Sequence, residues 1–152
     1  MNTPILFELA KLLKEKGFDV PVRTYRLEGK YPDFVHEGFE DDYWGDNKVV
    51  NWNKDVIGIK PFKGFVSAPT IAEVVYWIYS KYDIWISLIP DSSSGHKLLD
   101  RKFSVSIFRF NINLNVQAEI LRKDENILYF NLPENAFEYT IEYILNTYKP
   151  TS

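Results

Sequence analysis

The sequence predicts an α+β fold, with three helices packed on a largely antiparallel sheet of about five strands in the order α-β-β-α-β-β-β-α. Three observations carry this expectation. Three segments repeat apolar residues at helical spacing behind recognisable caps. The segments between them are rich in β-branched and aromatic residues and tend to alternate in twos. Proline and glycine stand at the joins, as at Gly17, Pro61, Gly64, Pro69, Pro90 and Pro133. A chain of 152 residues is expected to form one globular domain, 1–152.

The first helix is expected to start at Thr3 as N-cap with Pro4 in its first turn, and to stop at Gly17. Ile5, Leu9, Leu12 and Leu13 make its apolar stripe. Lys11, Lys14 and Lys16 crowd its C-terminal half, where the helix dipole favours cations. Phe18 is expected to fold back as the apolar partner of the glycine stop, and Phe7 lies off the stripe beside Lys14. Val20 to Gly29 reads as a strand. Residues 31–47 read as an acidic irregular loop, with Asp33, Glu37, Glu40, Asp41, Asp42 and Asp46 and no Lys or Arg between Tyr31 and Asp46. Two short strand candidates follow, around Val49–Trp52 and Val56–Ile59.

The second helix runs from about Pro69 to Lys81. Thr70 and Glu73 fit a capping box, and Ser67 is the competing cap. Ile71, Val74, Val75, Ile78 and Tyr82 share one face, widened by Ala72 and Tyr79. Trp77 sits on a flank and Tyr76 well off the stripe. Asp83 to Ile89 follows almost without a loop and is apolar on both sides, which predicts an interior strand. Lys102 to Ile112 is another strand whose apolar set changes phase, from Phe103, Val105 and Ile107 to Phe108, Phe110 and Ile112. A bulge, a strong twist or apolar packing on both faces would produce that change. A turn near Asn111–Asn113 separates it from Leu114 to Leu121, because a single strand of about twenty residues far exceeds the usual 5–6. Lys123 to Asn126 has hairpin-turn composition, with Ile127 to Asn131 beyond it. The third helix starts at Pro133, with Phe137, Ile141, Ile144, Leu145 and Tyr148 as its stripe and Tyr139 and Tyr143 outside it.

Composition narrows the function. The net charge of −3 gives no general pull toward nucleic acid. With no cysteine there is no disulfide, thiolate–metal site or cysteine nucleophile in this chain. The start, Met1-Asn2-Thr3-Pro4, lacks a basic region ahead of an apolar run, so no signal peptide is expected and the cytoplasm is the expected compartment. No stretch approaches the length of a membrane span, so no membrane partner is expected. No cofactor is expected either.

Chemistry-bearing groupings are few. His36 with Glu37, Glu40, Asp41 and Asp42 offers an imidazole and oxygens to a divalent cation, without the spacing of a calcium loop. Ser93, Ser94, Gly95 and Lys97 offer amides and a cation to an anion, without the phosphate-loop pattern. Ser92 to Ser94 with His96 lacks the elbow of a serine hydrolase. Phe7 among Lys11, Lys14 and Lys16, and Phe108 among Arg101, Lys102 and Arg109, mix aromatics with cations as single-stranded nucleic-acid sites do. The signature of the common RNA-binding sheet is absent. Aromatics are 16% of the chain, and several stand where no core stripe needs them: Phe7, Tyr76, Trp77, Tyr139 and Tyr143, with Tyr43 and Trp44 in the acidic loop. Tyr and Trp dominate protein interfaces because they offer large area at low entropic cost, so these residues are the expected contacts of a protein partner or a second copy.

Three stretches, "LAKLLKEKGFDVP", "SAPTIAEVVYWIYSKYDIWISL" and "LPENAFEYTIEYIL", recur in this order in a known group. By them the chain resembles small uncharacterised proteins of Bacteroidetes phages, crAss-like phages included, and related prophages. Leu132 stands where those relatives place a Ser or Thr cap before the proline. The resemblance implies a mobile-element origin and a host-cytoplasm setting, and no catalytic residues. The expected role is that of an accessory protein acting by protein interaction or self-association. A nucleic-acid-associated protein is the alternative, and a small metal-dependent hydrolase the third reading.

Overall fold

The computed structural model describes residues 3–27, 32–37, 53, 65–91, 102–110 and 115–151. These form an α+β fold with three helices and antiparallel strands, in two compact units, Met1–Glu73 and Val74–Ser152. The single sheet of about five strands expected from the sequence is corrected: the strands divide among sheets of three, three and two.

In the first unit, helix α1 spans Phe7–Glu15 and not the earlier start at Thr3–Pro4. The reason is local. Pro4 forms an antiparallel bridge with Thr70, and the Ile5 amide donates to the Pro69 carbonyl at 3.0 Å. Those residues are extended, so Leu6 takes the N-cap position without a side-chain cap. The far end follows expectation. Gly17 adopts φ 83°, the Phe18 amide donates to the Leu13 carbonyl, and Phe18 is buried. Strands β1 (Thr24–Leu27), β2 (His36–Glu37) and β3 (Phe65–Ser67) form an antiparallel sheet in the order β2-β1-β3. The opening of the acidic segment therefore contributes a short strand, and its remainder lies outside the described residues. Buried Arg26 donates to the Ile5 carbonyl at 2.8 Å and the Pro32 carbonyl at 3.2 Å. Lys14 donates to the Phe65 carbonyl at 2.8 Å, so one of the helix-end lysines serves the fold. Asn53 links the Phe18 carbonyl to the Ser67 amide.

Helix α2 spans Ile71–Tyr82, and the unit boundary falls within it. Its cap is the Thr70–Glu73 box: the Thr70 amide donates to Glu73 Oε2 at 2.6 Å, and the Glu73 amide to Thr70 Oγ1 at 3.3 Å. Ser67 belongs to β3, which removes it as a cap.

In the second unit a single residue turns α2 into strand β4 (Ile84–Pro90). Asp83 holds a left-handed φ of 54° there. Strands β5 (Phe103–Phe110) and β6 (Val116–Ile120) complete an antiparallel sheet in the order β4-β5-β6. Two paired strands thus stand where one long strand was the alternative, and the turn between them lies outside the described residues. A tight hairpin follows, β7 (Arg122–Lys123) and β8 (Asn126–Ile127), turning on Asp124 and Glu125 at positive φ. Helix α3 spans Pro133–Thr147 and buries Phe137, Ile141, Ile144 and Leu145. Ile84, Ile86, Val105 and Ile107 are buried on the sheet face that α3 covers.

The expectation that Asp83–Ile89 forms an interior strand is corrected. β4 lies at an edge of its sheet, and Trp85 and Ile89 on its second face are exposed. The phase change along β5 is not a bulge, because β5 pairs residue for residue with β4 from Arg109 to Phe103 and with β6 from Ser106 to Phe110. It marks a strand with apolar residues on both faces.

Leu132 takes the N-cap position of α3 with extended backbone, no side-chain cap and 55% exposure. Replacing it by serine supplies an acceptor for the orphan amides at a side chain that is already more than half exposed. Leu132→Ser is expected to raise stability by about 1 kcal/mol. An upward shift of the urea midpoint checks this, and an unchanged or lower midpoint refutes it.

Candidate interaction surface

Side chains alternate along a strand, so the register assigns every residue of β4–β5–β6 to a face. Ile84, Ile86 and Leu88 share the inner face with Phe103, Val105, Ile107, Arg109, Gln117 and Glu119. The outer face carries three cross-strand rows. Trp85 faces Phe108, which faces Ala118; Ser87 faces Ser106, which faces Ile120; Phe110 faces Val116. Ile89 opposite Ser104 extends it. No outer-face residue named here is charged.

Ser106 at the centre of this face is buried, and the apolar residues around it are open to solvent. Trp85 is 45% exposed and Val116 52%, with Ile89, Phe110 and Ile120 also exposed. Tyr79 of α2 stands edge-on to both Trp85 and Phe110, with ring centroids 5.9 and 6.0 Å apart and interplanar angles of 87° and 88°. Edge-to-face packing of this kind fixes ring orientation and contributes about 0.5–1.5 kcal/mol per pair beyond area burial. The rings are therefore pre-set rather than free to collapse. Tyr76, at 69% exposure, lies one turn earlier on the same helix.

The aromatics singled out in the sequence separate into groups. Tyr76 is exposed as expected. Trp77 is buried, at 5.7 Å edge-on to Tyr82, and Phe7 is buried with the Lys11 ammonium 5.6 Å above its ring. Neither offers itself to a partner. Tyr139 is half-exposed but packs on Phe130 of its own chain at 5.6 Å. Tyr143 donates to Glu119 Oε1 at 3.1 Å, and Tyr148 donates to Oε2 of the same carboxylate at 2.8 Å. Tyr43 and Trp44, the anion candidates Ser93, Ser94, Gly95 and Lys97, and the acids Glu40, Asp41 and Asp42 lie outside the described residues. His36 and Glu37 supply the backbone of β2, and their side chains also lie outside them.

The cation–aromatic grouping on β5 comes apart in the structure. Phe108 points outward, whereas Arg109 stands on the inner face with its guanidinium 4.8 Å from the Tyr148 ring. The residues that make the outer face, Trp85, Phe110, Val116, Ile120 and Ile89, went unremarked as a surface in the sequence. The signal was present in the two-sided apolar pattern of β4 and the phase change of β5. The exposure of Trp85, Ile89, Phe110, Val116 and Ile120 shows where the second face is open. No protein-family model, curated protein or solved structure matches the chain.

The inner-face cluster has its own consequence. Burial, then the hydrogen bond to Glu119 and its negative charge, push the Tyr148 phenol well above the ordinary value near 10, and the same causes raise Tyr143. The folded chain keeps these protons where the unfolded chain has lost them. Their stabilisation is complete below about pH 10 and is lost as pH rises through the folded values. Tyr25 and Tyr82 are raised in the same direction by burial. Tyr148→Phe is expected to cost about 0.5–1.5 kcal/mol at pH 7 and to reduce the loss of stability above pH 10. Urea midpoints between pH 7 and 11 check it, and an unchanged slope refutes the assignment.

Proposed function

We propose that the chain is a protein-interaction module that acts by binding, with the outer face of β4–β5–β6 as its docking surface. The observation that carries this is an uncharged, exposed sheet face in which Trp85, Phe110 and Tyr79 are locked edge-to-face. Water in contact with that surface is released when an apolar surface covers it, at about 25 cal/mol per Å². Large rigid aromatics lose little entropy on binding and so concentrate the gain. The occupant this chemistry selects is an apolar helix face or strand face of another protein. Nucleic acid is disfavoured here because none of the described residues assigned to the face is a cation that could meet a phosphate. The resemblance to Bacteroidetes phage and prophage proteins supports a setting as an accessory protein in a host cytoplasm. Among the described residues no helix is long and apolar enough to cross a membrane.

The test uses affinity purification of the tagged chain from a Bacteroidetes host, with the double variant Trp85→Ser/Phe110→Ser against a control, Phe34→Ser. Phe34 is exposed and belongs to the first unit, outside β4–β5–β6. A partner held by wild type and by the control should be lost from the double variant. The loss of two anchors of about 2 kcal/mol each lowers affinity by well over tenfold. Equal recovery from all three proteins refutes this docking surface.

A further inference from the structure

The outer face covers the flat of the sheet, and β6 leaves open its edge. In the order β4-β5-β6 this strand is terminal, and all five of its residues are exposed. Among the described residues its backbone hydrogen bonds go to β5 alone. Natural edge strands carry guards against pairing: lysines, prolines, bulges or charges at the edge. Val116-Gln117-Ala118-Glu119-Ile120 has no Lys, Arg or Pro, and its pairing with β5 runs without a bulge. Its one charge, Glu119, stands on the inner face by alternation, where it accepts from the hydroxyls of Tyr143 and Tyr148. By contrast the other terminal strand, β4, ends in Pro90.

We infer that β6 pairs antiparallel with β6 of a second copy about a two-fold axis at Ala118, joining two three-stranded sheets into one of six. A two-fold axis normal to the sheet keeps inner faces together, so residues of like facing must oppose one another. Centred on Ala118, all five residues pair: Val116 with Ile120, Gln117 with Glu119, and Ala118 with itself. The apolar pairs fall on the outer face, and the carboxylate of Glu119 meets an amide that can donate to it. The small Ala118 sits where the two strands cross the axis. Centring on Glu119 opposes two carboxylates, and centring on Gln117 leaves Ile120 without a partner in the strand. The sequence thus discriminates among registers. The central row then reads Trp85–Phe108–Ala118 and its symmetry copy, an extension of the apolar outer face.

A pairing of five residues is small beside the ~1,200–2,000 Å² of stable interfaces. A reversible dimer that forms with rising concentration is the expected species. This inference does not rest on docking to a foreign partner, because it uses the sheet's edge and not its face.

The chain has no cysteine, which permits a clean cross-linking test. Residues directly opposed in an antiparallel pair have Cα atoms about 4.5–5.5 Å apart, within disulfide reach. Ala118→Cys should therefore give a covalent dimer under mild oxidation, at least tenfold more than Gln117→Cys, whose symmetry copy is two residues out of register. Sedimentation of wild type should show a mass rising from 17.9 kDa toward twice that value with concentration. Ala118→Lys, which opposes two ammonium groups, should hold the chain monomeric while its circular dichroism remains that of wild type. Equal cross-linking of Ala118→Cys and Gln117→Cys, or a wild-type monomer at all concentrations, overturns the inference. Trp85→Ser/Phe110→Ser should leave Ala118→Cys cross-linking intact, so the two readings fail separately.

Discussion

Strand β5 lies between its two neighbours and pairs with both one residue for one. That uninterrupted register is the constraint on which the second unit depends. Because side chains alternate with a strict period of two, one slip would exchange the two faces. Val105 and Ile107, now buried, would turn outward, and Phe108 would turn in. The cost of exposing two such side chains is about 1.5–3 kcal/mol each, a large part of a domain's net stability. The same register fixes what is left outside. Trp85, Phe108, Phe110, Val116 and Ile120 share a face because Ile84, Ile86, Val105 and Ile107 share the other.

The end of α2 and the C-terminal segment are tied to this ladder by short polar clasps. Asp83 reverses the chain at a left-handed φ, and its carbonyl accepts from the Phe110 amide at 2.9 Å, which ties the α2–β4 join to the end of β5. The C-terminal segment returns to the same place. The Thr151 amide donates to the Lys81 carbonyl at 2.8 Å, and its hydroxyl donates to Asp83 Oδ2 at 2.8 Å. One of the last carbonyls of α2 is thereby satisfied by the chain's own tail. Tyr79 leaves α2 one turn before this join, which places its ring against Trp85 and Phe110.

Local signals in the sequence transferred well. The Gly17 stop with Phe18 folded back, the Thr70–Glu73 box, the immediate passage from α2 to β4, the turn at Asp124–Glu125 and Pro133 at the start of α3 all rest on contacts between near neighbours, and composition records those. What failed to transfer depends on distant partners. Pro4 and Ile5 read as a helix start until Pro69 and Thr70 are present to pair with them. β4 reads as an interior strand until the strand order places it at the edge of its sheet, with Trp85 and Ile89 exposed. Trp77 and Phe7 read as surplus to a helical stripe, yet burial is decided by neighbours that a helical wheel cannot include. The hydroxyl of Tyr143 is bonded by Glu119 across 24 positions of chain, a partner that helical spacing alone does not show. The candidate surface was thus half legible, as an excess of aromatic residues without their arrangement.

Glu119 connects β6 with α3. A carboxylate on an edge strand ordinarily repels a second strand and keeps the edge soluble. Here both oxygens accept phenol hydroxyls, one from the body of α3 and one from the residue just beyond it. The two tyrosines stand edge-on at 6.1 Å, and Arg109 lies over the second ring. These contacts raise the phenol ionisations and fasten α3 to β6 through the strand's only charge, which the register places on the inner face. Holding the helix end and guarding the edge compete for one side chain. The geometry assigns it to the helix, which leaves Val116, Ala118 and Ile120 as the uncharged outer row of an open edge. The feature that stabilises α3 against the sheet is therefore the same feature that makes β6 available for pairing.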